Sequence, residues 1–352
     1  MLFSRKHLLI GVDIGSHSIK VVQLRRTNRG YQLIHFGIMP LEPESIVDGV
    51  IMNAGSVVEA LRNIFRMEKI KEKEVATAIS GQSVIVKKIR VPQMTEKELN
   101  ENIQWEAEQH IPFEISDVNI DLQILSTEGN AENQIDVLLV AARKSKVSDY
   151  INVILEAGLQ PAVVDTNVFA LENGYEINNE IEDNTVALVD IGASTMSINI
   201  LKGNVTLFQR DIAIGGQRYT VALQKEFGIK YEQAEALKMG VGFTENRGKE
   251  LVLSLMAVIS EEISEEIQRS LEFFRSTTTE EAIDKIVLSG GCARLKGLDR
   301  FLSDRLGLPV QIANPFQNIH CSEKVFDPEY LRDMAPVAAV GVGLALRRMN
   351  DR

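Results

Sequence analysis

The sequence lacks the features that mark membrane-spanning and disulfide-bonded secreted proteins. No apolar run reaches the roughly 18–20 residues that a helix needs to cross a bilayer. The most apolar stretch, residues 334–346, is shorter and rich in alanine and glycine, which predicts a close-packed buried helix. Only two cysteines occur, Cys292 and Cys321, without the spacing of a disulfide framework or a metal site. These absences predict a cytoplasmic protein with reduced thiols.

Positive charge is also scarce. Lysine and arginine number 38 against 49 aspartates and glutamates, which gives a formal net charge of −11. Nucleic-acid binding requires a dense basic face that displaces counterions, and the basic runs here, such as Arg25–Arg26 and Lys87–Lys88, are short. We therefore expect no nucleic-acid partner. The length of 352 residues, with 45% hydrophobic and 25% charged residues, suits a globular protein of two lobes.

The N-terminus has basic residues before an apolar run, as a signal peptide does. However, the run ends at Asp13 and no small-residue cleavage site follows. We expect a β-strand here rather than a targeting segment.

An internal repeat is the main structural signal. Residues 10–24 (IGVDIGSHSIKVVQL) and 187–201 (ALVDIGASTMSINIL) each combine a β-branched strand, an aspartate, a glycine-containing turn and a second β-branched strand. Each copy predicts a β-hairpin, and a further strand follows at 31–39 and at 205–212. The chain is therefore predicted to contain two copies of one sheet unit followed by helices, arranged as two lobes with a cleft between them.

Helical patterns fill much of the remainder. Residues 95–110 begin with Thr95 and Glu98, which form a capping-box pattern, and Pro112 ends the helix. Its predicted apolar face carries Leu99, Ile103, Ala107 and Ile111. Residues 250–275 predict a second long helix with a solvated acidic face. The predicted apolar face of that helix consists of Leu251, Leu255, Val258, Ile259, Ile263, Ile267, Leu271 and Phe274.

The two hairpin tips are the candidate phosphate-binding site. Small residues let backbone N–H groups approach phosphate oxygens, while an aspartate beside each tip can hold Mg²⁺ through water. The first tip offers Asp13, Gly15, Ser16, His17 and Ser18, with Lys20 on the departing strand. The second tip offers Asp190, Gly192, Ala193, Ser194 and Thr195. One such hairpin is a weak signal because Asp-x-Gly is common in turns, and two ordinary tight turns, with His17 as a turn residue, are the structural alternative.

Two glycine pairs complete the candidate cleft. Ser289–Gly290–Gly291 follows the apolar strand 286–288 and leaves a flat backbone on which an adenine ring can lie, with Arg294 close behind. We expect a helix from about Ala293 whose N-terminal N–H groups point to the ligand. Gly215–Gly216 follows the strand 210–214 and is either a structural turn near the cleft or part of the nucleotide site.

Five segments resemble, in order, the signature motifs of the actin/Hsp70/sugar-kinase superfamily. The phosphate 1, connect 1, phosphate 2, adenosine and connect 2 motifs correspond to residues 10–20, 163–173, 186–195, 286–295 and 334–346. The resemblance implies an α/β, two-lobed actin/RNase H-like fold with duplicated sheet cores that binds ATP and Mg²⁺, with Asp13 and Asp190 at the metal. The segment YEQAEALKMG, residues 231–240, further resembles the AE-x-x-K segment of FtsA and MreB, which implies Glu235 and Lys238 at the ribose and base.

Residues 104–113 (QWEAEQHIPF) and 117–124 resemble the small inserted subdomain of the PilM family. The insertion has the position of the 1C subdomain of FtsA, not of 1B in actin. The resemblance implies a cytoplasmic adapter of the type IV pilus inner-membrane platform that binds the N-terminal tail of a PilN-type membrane protein. The candidate groove residues are Trp105, Ile111, Pro112 and Phe113; packing and a helix stop are the alternative roles. The sequence ends at Arg352 without the amphipathic helix of FtsA, so we expect recruitment to the membrane through the partner.

The resemblance divides the chain into four subdomains. Lobe 1 is predicted to contain 1A (1–85, 160–172 and 334–352) and the inserted 1C (86–159). Lobe 2 is predicted to contain 2A (173–230 and 282–333) and the helical 2B (231–281).

Catalysis is less well specified than binding. Asp165 precedes the helix of connect 1 and either orients the hydrolytic water as a weak base or caps the helix 168–173. Asp190 is the second catalytic candidate. Because no strong base is evident, we expect slow ATP hydrolysis or binding alone. The open alternatives are a small-molecule kinase, a self-associating FtsA/MreB-like filament, and an adapter that keeps ATP permanently bound.

Overall fold

The two repeated hairpins each begin one of the main sheets of the protein. The computed structural model describes residues 8–125, 134–180, 183–242, 246–278 and 282–349. In chain order the strands are β1 (Ile10–Ile14), β2 (Ser18–Thr27), β3 (Gly30–Pro40), β4 (Ile46–Val47), β5 (Val50–Ile51), β6 (Glu74–Ile79), β7 (Val84–Pro92), β8 (Val118–Ile124), β9 (Gln134–Arg143), β10 (Gln160–Thr166), β11 (Thr185–Ile191), β12 (Met196–Lys202), β13 (Val205–Ile212), β14 (Lys285–Ser289), β15 (Val310–Ile312) and β16 (Ile319–His320). The helices are α1 (Ala54–Met67), α2 (Glu96–Glu108), α3 (Lys144–Glu156), α4 (Asn167–Glu176), α5 (Gln217–Phe227), α6 (Tyr231–Lys238), α7 (Asn246–Thr277), α8 (Leu298–Leu306), α9 (Pro328–Met334) and α10 (Ala339–Ala345).

The two main sheets share a five-strand topology, to which lobe 1 adds a sixth strand, β16, beside β3. The sheet of lobe 1 has the strand order β10-β6-β1-β2-β3-β16, and that of lobe 2 has the order β13-β12-β11-β14-β15. In both, an antiparallel meander of three strands is extended by parallel strands beside its first strand. Asp13 pairs with Lys20 and Asp190 with Ser197 at equivalent positions of the two hairpins. The predicted actin/RNase H-like fold with duplicated sheet cores is confirmed.

Helices α4 and α10 form the layer between the two sheets. Ala170 of α4 and Leu344 of α10 pack into an apolar cluster with lobe 1 residues such as Ala76. On the other side, Leu171 and Ala339 pack against strands of lobe 2. The predicted buried helix at 334–346 is therefore confirmed in position, although its first part is a 3₁₀ turn, Ala335–Ala338. Its small residues let the two helices approach closely.

The inserted subdomain is a three-stranded sheet, in the order β7-β9-β8, covered by α2. The predicted capping box is present: Thr95 Oγ1 accepts from Glu98 N at 3.3 Å, and Glu98 Oε2 accepts from Thr95 N at 2.8 Å. The predicted boundary 86–159 includes α3, but Tyr150 and Ile154 of this helix lie in the core of lobe 1. The inserted unit accordingly comprises β7, α2, β8 and β9, and α3 packs with lobe 1.

Helix α7 extends beyond the predicted 250–275, and its buried stripe is narrower than expected. Ile259, Ile263 and Ile267 are buried, whereas Leu251 and Val258 are 41% and 59% exposed. At about 100° per residue, Leu251 and Val258 lie about 120–140° from the centre of this buried stripe. Including them in the apolar face was wrong. Within the described ranges, no helix combines the length and apolar character needed to cross a membrane.

The contact between α4 and α10 predicts a strong asymmetry between two glycine substitutions. A Cβ on Gly343 would lie 1.6 Å from the Ala170 carbonyl oxygen, whereas a Cβ on Gly248 in α7 meets nothing within 4 Å. We expect Gly343→Ala to destabilise the protein by about 1–3 kcal/mol or more through overpacking. Gly248→Ala should instead stabilise by up to about 1 kcal/mol through helix propensity. Denaturant midpoints measure both, and equal midpoints for the two variants would contradict the close crossing.

Candidate nucleotide cleft

A cleft of about 580 Å³ lies between the lobes, and both hairpin tips line it. We call residues 13–20 the first loop and residues 190–197 the second loop. The predicted residues that line the cleft are Asp13, Gly15, Ser16, His17, Ser18, Lys20, Asp190, Gly192, Ala193, Ser194, Thr195, Gly216, Glu235, Lys238, Gly290, Gly291 and Arg294. Side chains and backbone from both copies of the repeat thus meet in one place.

The two loops have the same internal geometry and touch each other. Gly15 N donates to Ser18 O at 3.2 Å, and Gly192 N donates to Thr195 O at 2.9 Å. Across the cleft, the hydroxyl oxygens of Ser16 and Ser194 lie 2.6 Å apart. Small residues at both tips keep backbone amides accessible, an arrangement suited to an anion with several oxygens.

The aspartates of the two loops have different surroundings. Asp13 Oδ2 forms a salt bridge of 3.1 Å with Lys20 Nζ. Asp190 Oδ1 accepts a hydrogen bond from Ser289 Oγ at 2.8 Å. Burial raises the pKa of Asp190 to about 6; the Ser289 hydroxyl opposes this shift and the negative charge of Asp13 adds to it. The cleft therefore holds a carboxylate that is costly to ionise, and the nearby Lys20, which opposes this pKa shift, forms its salt bridge with Asp13.

Helix α6 presents a polar cluster to the cleft. Lys238 Nζ lies 2.5 Å from Glu235 Oε1 and 3.0 Å from Thr220 Oγ1, and the Thr220 hydroxyl also donates to Glu235. The ion pair fixes both side chains at the cleft wall. Glu235 thus supplies an acceptor and Lys238 a donor on the lobe 2 side.

The glycine pair after β14 lies very close to the backbone at the end of β11. Gly290 has φ +84°, and a Cβ there would lie 2.4 Å from the Ile191 carbonyl oxygen. Gly291–Arg294 forms a 3₁₀ turn, and helix α8 begins only at Leu298, so the predicted helix start near Ala293 is wrong. Arg294 Nη2 instead forms a 2.6 Å salt bridge with Asp333.

Gly215 and Gly216, the second glycine pair, pack against the backbone of the second loop. Gly216 N donates to Gly192 O at 2.9 Å, and a Cβ on Gly215 would lie 2.6 Å from the carbonyl oxygens of Gly192 and Ala193. Gly216 lines the cleft, whereas Gly215 is not among its lining residues. Its close approach agrees with the structural interpretation of this turn.

Asp165 is placed differently from both interpretations of the sequence. The buried carboxylate accepts from Arg347 Nε at 2.8 Å and from the Thr166 amide, and it is not among the residues that line the cleft. Burial raises its pKa, while the charge of Arg347 opposes that shift. The N-cap of α4 is Thr166, whose hydroxyl accepts from Phe169 N. The helix-cap interpretation of Asp165 was therefore wrong, and its geometry does not support a role at the water.

Sequence reasoning missed several cleft residues. Tyr231 OH lies 3.0 Å from His17 Nδ1 and so connects α6 to the first loop. Desolvation lowers the pKa of His17; Lys238 and Lys20 act in the same direction and Glu235 opposes them.

Ser197 also lines the cleft. The repeat itself identifies this residue, because Ser197 occupies in the second hairpin the position of Lys20 in the first.

The candidate groove residues have unequal exposure. Trp105, the single tryptophan, is 74% exposed on α2, so the expectation of a partly buried packing residue was wrong. Ile111 is buried in the core of the inserted subdomain and Pro112 is exposed. Phe113 is partly buried, with the Arg143 guanidinium 4.4 Å from its ring centroid. The accessible apolar surface here consists of Trp105, Pro112 and part of Phe113.

The raised pKa of Asp190 predicts a pH-dependent gain in stability on Asp190→Asn. The carboxyl is ionised above about pH 4 in the unfolded chain but only above about pH 6 in the folded protein. The free-energy cost of ionising this carboxyl in the folded protein is thus absent below about pH 4. It grows as the pH rises to about 6 and is constant at higher pH. We expect the variant to exceed the wild type by about 1–3 kcal/mol at pH 8 and by less at pH 5. Thermal unfolding at the two pH values measures this; a pH-independent difference would contradict it.

Comparison with known proteins places this architecture in a family. The family model for type IV pilus assembly protein PilM matches residues 11–349. A solved PilM-PilN type IV pilus biogenesis complex contains a chain that is 29% identical, with a TM-score of 0.87 over 98% of this chain and 100% of that one. The cell division protein FtsA of Bacillus subtilis is 22% identical over 97% of this chain and 83% of its own length. MreB 5 of Spiroplasma citri, solved bound to AMPPNP, is 16% identical with a TM-score of 0.52, covering 96% of this chain and 95% of that one. The chain belongs to the family of type IV pilus assembly protein PilM.

Proposed function

We propose that this protein is an ATP-binding adapter of the type IV pilus inner-membrane assembly platform. In this proposal it acts on the cytoplasmic side and docks the N-terminal tail of a PilN-type membrane protein, which recruits it to the membrane. The observation that carries the nucleotide part is the convergence of two equivalent loops, one from each lobe, on one cleft. The partner part is supported by the similarity to a chain solved in a PilM-PilN complex.

The residues of the cleft fit ATP in a definite orientation. Backbone N–H groups of the first and second loops are suited to donate to phosphate oxygens, and Lys20 supplies a positive charge beside them. Glu235 and Lys238 are suited to the ribose and base, and Gly290–Gly291 offers flat backbone for the adenine ring. All of these groups line the same cleft.

The carboxylates fit Mg²⁺ bound together with phosphate. Within the ranges that the structure describes, no group of three or more His, Cys, Asp or Glu side chains is arranged to hold a metal. Mg²⁺ typically takes only one or two protein carboxylates and completes its shell with water and phosphate oxygens. Asp13 and Asp190 provide this limited donor set, one from each lobe. These two aspartates would hold the ion, and the ion would neutralise phosphate charge when bound.

We propose nucleotide binding with slow turnover or none. Asp165 is bonded to Arg347 and does not line the cleft, which argues against a role for it in orienting an attacking water. In this proposal, bound nucleotide bridges the two lobes and sets their relative position. The relative position of the lobes in turn controls the partner-binding subdomain.

Removal of the first-loop carboxylate tests the nucleotide part. We expect Asp13→Ala to weaken Mg²⁺-dependent ATP binding about tenfold or more, because a metal-linked contact and the partner of Lys20 are both lost. Asp149→Asn, which removes an exposed charge from α3, should bind ATP like the wild type. Calorimetric titration with and without Mg²⁺ gives both affinities. Unchanged binding by Asp13→Ala would refute the assignment of the cleft.

Substitutions at the accessible apolar surface test the partner part. We expect Trp105→Ala to weaken binding of a PilN-type N-terminal peptide about tenfold, since exposed aromatic residues often dominate peptide interfaces. ATP affinity and unfolding temperature should stay unchanged because the side chain is 74% exposed. Val325→Ala, at a side chain 67% exposed elsewhere, is the matched control.

A second substitution separates packing from docking. Phe113→Asp should impair peptide binding while ATP binding persists. Simultaneous loss of both activities would identify Phe113 as a core residue only, and peptide affinity unaffected by both Trp105→Ala and Phe113→Asp would reject this surface as the docking site.

A further inference from the structure

Asp211 belongs to lobe 2, but its carboxylate bonds to the backbone of lobe 1. It lies at the end of β13, and its Oδ2 accepts a hydrogen bond from Gly81 N, which follows β6. Its Oδ1 accepts from Gln209 Nε2 at 2.9 Å. The candidate nucleotide site makes no use of this carboxylate. It is a contact between the lobes outside the layer formed by α4 and α10.

The residues that Asp211 meets connect the inserted subdomain to lobe 1. We call residues 79–84 and 143–146, the two segments that enter and leave the subdomain, the junction. Arg143 N donates to Ser83 O at 3.0 Å, and Val84 N donates to Gly81 O at 2.9 Å. Lys146 Nζ donates to Ser80 O at 2.5 Å. The two segments therefore form one hydrogen-bonded unit.

The surroundings of Asp211 at the junction combine burial with hydrogen-bond donors and a nearby positive charge. Burial raises the pKa of Asp211, while Ser197, the Gly81 amide, Lys146 and Gln209 favour its ionised form. Burial lowers the pKa of Lys146, and the charge of Asp211 opposes this shift. The direct contact between lobe 2 and the junction is the hydrogen bond from Gly81 N to the Asp211 carboxylate, and the nearby charge of Lys146 favours the ionised form of that acceptor. This hydrogen bond therefore favours one relative position of lobe 2 and the junction.

The junction also touches the candidate partner surface and lies near the cleft. Arg143 lies over the ring of Phe113, and Lys144 Nζ donates to Ser116 O at 2.7 Å. On the other side, Ser197 is the strand partner of Asp211 and lines the nucleotide cleft. Strand β7, which follows the junction, lies against β13. A continuous set of contacts thus runs from the cleft through Asp211 to Phe113.

We propose that Asp211 is a positioning residue that couples lobe geometry to the inserted subdomain through Gly81 and Lys146. A shift of lobe 2 relative to lobe 1 carries the junction with it through these contacts, and the junction in turn moves the partner surface. The inference rests on the proposed function for the identity of the two ligands. It adds the residue through which the nucleotide state reaches the peptide surface.

Hydrogen exchange of the junction tests the coupling directly. We expect amide exchange in 79–84 of the wild type to differ between AMPPNP·Mg²⁺ and ADP·Mg²⁺. Asp211→Ala should accelerate Gly81 exchange about tenfold and abolish the nucleotide-dependent difference, because the charged acceptor is lost. Asp211→Asn keeps a neutral acceptor of the same shape and should show an intermediate effect; it also covers the case in which the alanine variant does not fold. Glu226→Gln, which removes an exposed charge from lobe 2, should behave like the wild type.

The outcomes separate this inference from the proposed function. A nucleotide-dependent difference that persists in Asp211→Asn at wild-type size, or that is absent from the wild type, overturns the coupling role. The ratio of peptide affinities in the two nucleotides should likewise fall toward one in Asp211→Asn while AMPPNP affinity stays within about threefold. If the wild type binds no PilN-type peptide, the proposed function fails, whereas the exchange data still decide the role of Asp211.

Discussion

The crossing of α4 and α10 is the constraint on which the architecture depends. Their backbones approach so closely at Gly343 that no side chain fits against the Ala170 carbonyl. One side of this helix pair packs into lobe 1 and the other into lobe 2. Two sheets with the same topology are thereby held with their hairpin tips toward one cleft. A small change in this crossing is expected to alter the distance between the tips, which meet through the hydroxyl groups of Ser16 and Ser194.

The cleft concentrates polar groups that folding alone does not require. Asp190 is desolvated and receives a hydroxyl hydrogen bond instead of a cation. Glu235 and Lys238 form their ion pair at the wall, and His17 meets Tyr231 across the opening. Strongly perturbed ionisable groups in a cleft are typical of functional sites, where stability is given up for binding. The arrangement is thus better explained by a charged ligand than by two structural turns.

Features coded by local pattern were predictable from the sequence. The repeated strand–Asp–Gly–strand pattern identified both loops, and the Thr95–Glu98 spacing identified the start of α2. The helical spacing of apolar residues in α2 was also enough to predict that Trp105 is exposed. Since Leu99, Ile103 and Ala107 define the inward face, Trp105 lies about 200° away from Ile103 and must face outward. The packing role considered for Trp105 was wrong because it relied on the residue type and not on the position of the residue in the helix.

Features that depend on distant partners were not predictable in this way. Nothing near Asp165 indicates that Arg347 will bind it, and nothing near Asp211 indicates Gly81 as its partner. Such contacts arise only when the duplicated lobes assemble around α4 and α10. They are also the contacts that decide which carboxylates face the ligand and which connect subdomains.

The central proposal is an adapter whose lobe geometry is set by the bound nucleotide. Its most direct test is the affinity of the wild-type protein for a PilN-type N-terminal peptide in the two nucleotide states of the protein. Titration calorimetry with AMPPNP·Mg²⁺ and with ADP·Mg²⁺ gives the two dissociation constants under otherwise equal conditions. The proposed coupling of lobe geometry to the inserted subdomain predicts that they differ by about fivefold or more, the lower end of typical allosteric coupling. Equal dissociation constants in both states would contradict it and leave ATP as a structural ligand.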